Sequence, residues 1–165
     1  MFKQARALAL PVTVAGVIPA LILTLYQPTV GWGLAAPLNI LPMLAGLALI
    51  GAGLYLNLAT VRMFVTIGKG TLAPWDPPKK LVITGIYRYV RNPMISGVVA
   101  LVFGESVLLG SFPLLLYALL VFAINAVYIP LSEEPGLRRR FGQSFDDYMR
   151  HVPRWLPRRT PYIPE

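Results

Sequence analysis

The chain contains no cysteine, a single histidine (His151) and seven acidic residues in 165. Without thiols there is neither a disulfide scaffold nor thiol catalysis, and one imidazole argues against a tight zinc site. Charge is scarce as well, at 13% of residues, against about 25% in an ordinary soluble domain. The formal net charge of +8 is therefore not read as a nucleic-acid-binding surface; the charged fraction is too low for one. No Walker-type phosphate loop occurs. Gly68–Ala73 has the letters of G-x-G-x-x-A, but it follows a long apolar run rather than a strand, and Pro74 and Pro77 bracket Trp75 where a helix should run. No stretch alternates as the strands of a membrane barrel would.

What the chain has is apolar residues, 56% of the total, with a mean hydropathy of +0.62. They fall in four blocks, at about 7–26, 38–61, 94–110 and 112–131. A 20-residue helix spans about 30 Å, the hydrocarbon thickness of a bilayer, so the expected fold is an all-α integral membrane protein with four transmembrane helices. Basic residues within about 15–20 positions of a span stay in the cytoplasm. Lys3 and Arg6 precede the first block, six basic residues from Arg62 to Arg91 lie between the second and third, and the other seven follow the fourth. The remaining two loops carry none. The topology this predicts has both termini cytoplasmic. A cleaved signal peptide is the competing reading of the first block, given the small residues Ala35 and Ala36, but the apolar run exceeds the roughly 7–15 residues of such a segment.

The chain reads as one domain, 1–165, with two cytoplasmic segments, 62–93 and 132–165. Gly68, Gly70, Pro74, Pro77 and Pro78 make the first an ordered cap rather than a helix. In the second, Leu137, Phe141, Phe145, Tyr148 and Met149 fall near helical spacing. This predicts two short amphipathic helices, broken at Gly142 and stopped by Pro153, with Ser144 and Asp147 as a capping box. They lie on the membrane face or cover a site, and Arg138, Arg139 and Arg140 equally suit anionic lipid. Because only about two residues separate the third and fourth spans, these form a hairpin whose far ends return to the same face. That brings the segment around Asn92 beside Glu133 and Glu134.

Those are the chemically richest stretches: Gly85-Ile86-Tyr87-Arg88-Tyr89-Val90-Arg91-Asn92-Pro93-Met94 with Ser96 and Gly97, and Glu133-Glu134 followed by Phe141-Gly142, Tyr148 and Val152-Pro153-Arg154. Together they resemble the R-H-P-x-Y-x-G and E-E motifs of the membrane methyltransferases that include isoprenylcysteine carboxyl methyltransferase and the phospholipid N-methyltransferases. The resemblance runs from about Gly68 to Pro157. Asn92 stands where the family often has His, Met94 and Ile95 leave the aromatic position without Tyr, and Phe145 replaces a common Tyr.

The resemblance implies S-adenosylmethionine as cofactor, with Tyr87, Arg91, Asn92, Gly97, Glu133 and Glu134 as the residues that hold it. The fork of Arg91 suits the cofactor's carboxylate, and the two glutamates suit its ribose hydroxyls or amino group. Pro93 fits the first turn of the third helix, whose free N–H groups favour an anion, and Gly97 one turn on permits close approach of ligand or backbone. The implied reaction is an in-line displacement in which an acceptor oxygen or nitrogen attacks the sulfonium methyl. The acceptor is a lipid-like or prenylated molecule entering from the bilayer. A carboxylate of the isoprenylcysteine type needs no base and Arg154 orients it; an amine of a phospholipid or small molecule needs one, and Glu134 is the candidate. The bland readings are anchoring arginines, helix-capping acids and interfacial tyrosines.

A rival of another class is a non-catalytic membrane scaffold or transporter subunit. Polar groups crowd at the cytoplasmic face rather than the midplane, which disfavours it. Glu105, well into the third span, is expected to be structural, with Asn57 and Asn125 as polar counterparts or as lining of an acceptor tunnel. Ala48 with Ala52 and Ala100 with Gly104 are expected to pack helices.

Overall fold

The computed structural model describes residues 9–67 and 81–164, and within them every regular element is helical. The membrane elements are α1 (9–25), α2 (Ile40–Ile67), α3 (Pro93–Leu109) and α4 (Phe112–Tyr128), followed by the short α5 (Glu134–Phe141) and α6 (Gln143–His151). Three stretches are long and apolar enough to cross a bilayer: Ala9–Gly33, Ile40–Met63 and Phe112–Phe141. The shorter apolar α3 has 17 residues, about 25 Å of helix at the usual rise.

The second span is longer than its apolar block suggested. α2 runs on to Ile67, beyond Arg62, so part of the expected cap is helix. Lys69, Thr71, Trp75 and the prolines of the cap lie outside the described residues.

The α3–α4 hairpin is tight for local reasons. Gly110 takes φ +59°, a left-handed conformation that a side chain rarely adopts, and ends α3. Ser111 then accepts the N–H of Leu114 on its hydroxyl and Pro113 occupies the first turn of α4. Val102, Leu114 and Ala118 are buried between the hairpin arms, and Ala15, Ile22 and Leu23 of α1 close over them.

The tightest packing is between α2 and α3, which run antiparallel along a seam of glycines. A methyl group at Gly53 would stand 2.6 Å from the carbonyl oxygen of Gly97, and one at Gly46 would stand 2.8 Å from that of Gly104. The spacing of seven within each helix keeps both contacts on one face, two turns apart. In lipid the driving force for such pairing is close van der Waals contact, which small residues permit. Of the expectations for the small residues, that for Gly97 is met by backbone and that for the alanines changes. Gly97 faces Gly53 and the Asn57 amide rather than open space, so its close approach is to backbone. Ala48 and Ala52 are exposed, and Gly46 and Gly53 take the role assigned to them, while Gly104 packs as expected.

After Tyr128 the fourth helix does not stop. It passes through a wider π turn, Ile129–Glu133, containing Pro130, and the Glu134 N–H reaches back to the Ile129 carbonyl. The extra residue changes the facing of everything beyond it, including both glutamates. Gly142 at φ +54° separates α5 from α6, as the sequence indicated. The capping box is not formed: α6 begins at Gln143, one residue before Ser144, with no side-chain cap, and Asp147 instead accepts the Gln143 amide at 3.0 Å.

Candidate functional site

Three segments distant in sequence meet at the end of the α3–α4 hairpin. The first is the turn Gly85–Arg88 with the residues up to Asn92; the second is the π turn and α5; the third is the extended tail beyond α6. Backbone hydrogen bonds tie the first to the third: Arg91 N–H donates to Pro153 O at 2.9 Å, Arg158 N–H to Tyr89 O at 3.0 Å, and Tyr162 N–H to Arg88 O at 2.9 Å. The Arg88 guanidinium returns the last of these, donating from Nε to Tyr162 O at 2.7 Å.

Beneath the tail, Phe145, Tyr148 and Val152 are buried against Leu81, Ile83, Leu137, Phe141 and Tyr162. The apolar face read from the sequence is thus a small core of its own, and it holds α6 against the turn. The Tyr148 hydroxyl donates to Tyr87 O at 2.7 Å. Burial pushes the hydroxyl pKa values of Tyr87 and Tyr148 upward, the Glu133 carboxylate adding to the first, so both stay neutral hydrogen-bonding groups near neutral pH.

The electrostatic centre is Glu134. Arg91 donates from Nη1 to Oε1 at 2.8 Å, and Arg154 donates from Nε to Oε1 and from Nη2 to Oε2, both at 2.8 Å. The side chains of Arg91 and Glu134 are each 12% exposed and that of Arg154 is 28% exposed. Burial pulls the Arg91 pKa below the ordinary guanidinium value, which Glu134 partly offsets; the hydrogen bonds to Glu134 hold Arg154 above it. Both arginines remain cations.

Of the residues singled out in the sequence, Arg91, Glu134 and Arg154 are thus in direct contact, and Tyr87 is tied to the same region through Tyr148. Asn92 sits at the start of α3 and makes no side-chain capping bond. Glu133 is half-buried in the π turn, and among the described residues no guanidinium pairs with it. Gly97 belongs to the helix seam. Asn57 and Asn125 donate to carbonyls of their own helices, Gly53 O and Val121 O, and Glu105 keeps a buried Oε2 without a hydrogen-bond partner. At the centre itself a donor is unmatched: Nε of Arg91 is buried and has no hydrogen-bond partner among the described residues.

Beside this centre lies a groove of about 1170 Å³, where an acceptor tunnel was expected, but neither Asn57 nor Asn125 lines it. α3 forms its floor with Ser96, Val99, Ala100 and Phe103, and α2 forms one wall from Leu49 to Met63. Phe122 of α4 and the tail residues Trp155 to Pro157 form the other. Its lining is mostly apolar, with Tyr55 on the α2 wall and Arg88, Tyr89 and Ser96 at one end. From Leu49 to Met63 it follows 14 residue steps of α2, about 21 Å of helix.

An apolar helical bundle with an ionised cluster at one end and an apolar groove leading from it defines an all-helical membrane protein whose polar site adjoins the bilayer. The profile of the phospholipid methyltransferase family matches residues 41–144, more than half of the chain, and the chain belongs to that family. Over 78 residues it is 37% identical to protein-S-isoprenylcysteine O-methyltransferase of Schizosaccharomyces pombe, a match covering 47% of this chain. It spans about a third (33%) of the length of that relative. No solved structure matches.

Proposed function

We propose that this protein transfers a methyl group from S-adenosylmethionine to a membrane-borne acceptor, a carboxylate of the isoprenylcysteine type. The family supports methyl transfer, and the observation that carries the choice of acceptor is the occupation of Glu134. A carboxylate that accepts three hydrogen bonds from two guanidiniums is a poor proton acceptor. A carboxylate substrate arrives ionised and asks for no base, only for orientation beside cations. The family's phospholipid members favour a second reading, methylation of an amine, and Glu133 is then the better base, because no described guanidinium engages it.

The residues present fit the cofactor. The unpartnered Arg91 Nε is a buried charged donor suited to a carboxylate; Asn92 and Glu133, next in sequence to Arg91 and Glu134, carry an amide and a carboxylate suited to an amino group and ribose. S-adenosylmethionine brings a methyl on a positive sulfur, already a good leaving group. What remains for the protein is to orient two partners and keep water away. In this reading Arg154 orients the acceptor head group while the groove takes its tail.

Titration calorimetry of the purified protein with S-adenosylmethionine is the direct test. Saturable binding is expected in the wild type. Arg91→Ala should lose about 1.5–3 kcal/mol, the range for a charged hydrogen bond, or roughly 10- to 150-fold in Kd. A folded wild type that binds no cofactor would overturn the enzyme reading in favour of a scaffold.

We also infer four crossings in a single domain, α3 included, with both termini in the cytoplasm, from the one-sided basic residues. Thr29→Cys, in the loop between α1 and α2, should then react with an impermeant maleimide in intact cells, whereas a terminal tag should be reached only after lysis. Labelling at position 29 only in lysed cells would invert or miscount the spans.

A further inference from the structure

Arg154 and Trp155 are neighbours in the tail, yet they serve different sides of it. Arg154 turns to Glu134, while Trp155 lines the groove. The Trp155 ring stands against Phe122 of α4 with centroids 5.3 Å apart and planes at 52°. Its backbone is held on both flanks: Ser96 Oγ donates to Trp155 O at 3.4 Å, and the carbonyl of Pro153 accepts from Arg91 N–H. Across the groove the α2 wall sets Ala52 and Ala59 among larger residues, Tyr55, Leu56 and Met63, and the two alanines leave space that the aromatic wall faces. An acceptor tail that occupies the groove runs against this indole.

Resting on the function proposed above, we propose that Trp155, braced on Phe122, is the specificity-determining residue through which the enzyme reads the apolar tail of its acceptor. The ligand class is a single-chain amphiphile with an anionic head and a branched or unsaturated tail. A rigid aromatic face gives such a chain contact area with little loss of side-chain freedom, because the ring is already fixed. The role is one of recognition, so it belongs in KM rather than in kcat.

The test uses the full-length protein in detergent with Trp32→Phe and Trp75→Phe, leaving Trp155 as the sole indole. A single-chain fatty acid brominated on its tail should quench Trp155 saturably, and an S-prenylated cysteine should displace it. In kinetics over S-prenylated cysteines of increasing chain length, Trp155→Ala should raise KM for long tails by about tenfold or more. It should leave kcat, cofactor affinity and KM for the shortest tail near wild type, and Trp155→Phe should recover most of the loss. Unsaturable quenching, as from lipid collision, overturns the proposal, as does a rise in KM that is equal for all tails. Saturable, displaceable quenching in a protein that methylates no acceptor supports the tail contact while overturning the reaction; methylation with Trp155 unquenched does the reverse.

Discussion

Gly97→Leu is expected to separate α2 from α3 and to leave little folded protein. A side chain there must enter space held by the Gly53 carbonyl, 2.9 Å from the position of its first carbon, and by the Asn57 amide. The first is main chain; the second is a side-chain end, tethered by its 2.9 Å hydrogen bond to that same carbonyl. Overpacking in a close interface costs about 1–3 kcal/mol and more where backbone must shift, and this seam has a second glycine pair that would be pulled out of register with it. Thermal unfolding in detergent measures the effect, and Gly51→Ala supplies the contrast. Nothing lies within 4 Å of a methyl group at Gly51, so that change should be neutral or gain up to about 1 kcal/mol through helix propensity. The milder Gly97→Ala also tests the cofactor role implied by the sequence: lowered stability with cofactor affinity retained marks a packing residue, and the opposite pattern marks a ligand contact.

Glu134→Gln should have the largest effect on the site itself. The change keeps the shape and removes the one charge that faces both Arg91 and Arg154. Breaking a buried ion pair by removing one member costs about 3–5 kcal/mol, since the partner charge is left uncompensated. Here two cations are left, and they repel. The helix seam and the α3–α4 hairpin do not depend on this group, so the protein should still insert and remain folded in the membrane. The loss should appear as looser docking of the tail, read by limited proteolysis beyond Val152, and as a fall in cofactor affinity or turnover of at least about a hundredfold. Unchanged affinity in both Glu134→Gln and Arg91→Ala would move the pocket away from this cluster, toward the segment that holds Lys69, Thr71 and Trp75.

The broad architecture was legible because it rests on local rules. Apolar length gave the helical blocks, and the short connection between the third and fourth gave the hairpin and made Arg91 and Glu134 converge across some forty residues of sequence. The pairing within the cluster was not legible. Arg91 and Glu134 read separately as partners for a ligand, and only the π turn at Pro130 decides that the glutamate faces the arginines. The seam was hidden for a related reason. Small residues four apart in the sequence, such as Ala48 and Ala52, look like a packing motif, but the antiparallel pair uses positions seven apart, and the phase of a helix that is apolar all round carries no mark of it. The groove and the docking of the tail depend on backbone bonds from residues 153–162 to residues 88–91, and such bonds leave no trace in residue type.

Those backbone bonds make the site conditional on the tail. The apolar helices pack without the tail, but the ionised cluster lacks Arg154, and one wall of the groove is reduced to Phe122, unless residues 153–162 are folded back over the turn at Gly85–Arg88. The site is therefore a product of tertiary docking: a bundle whose tail is undocked keeps its helices and has neither a complete cluster nor a closed groove.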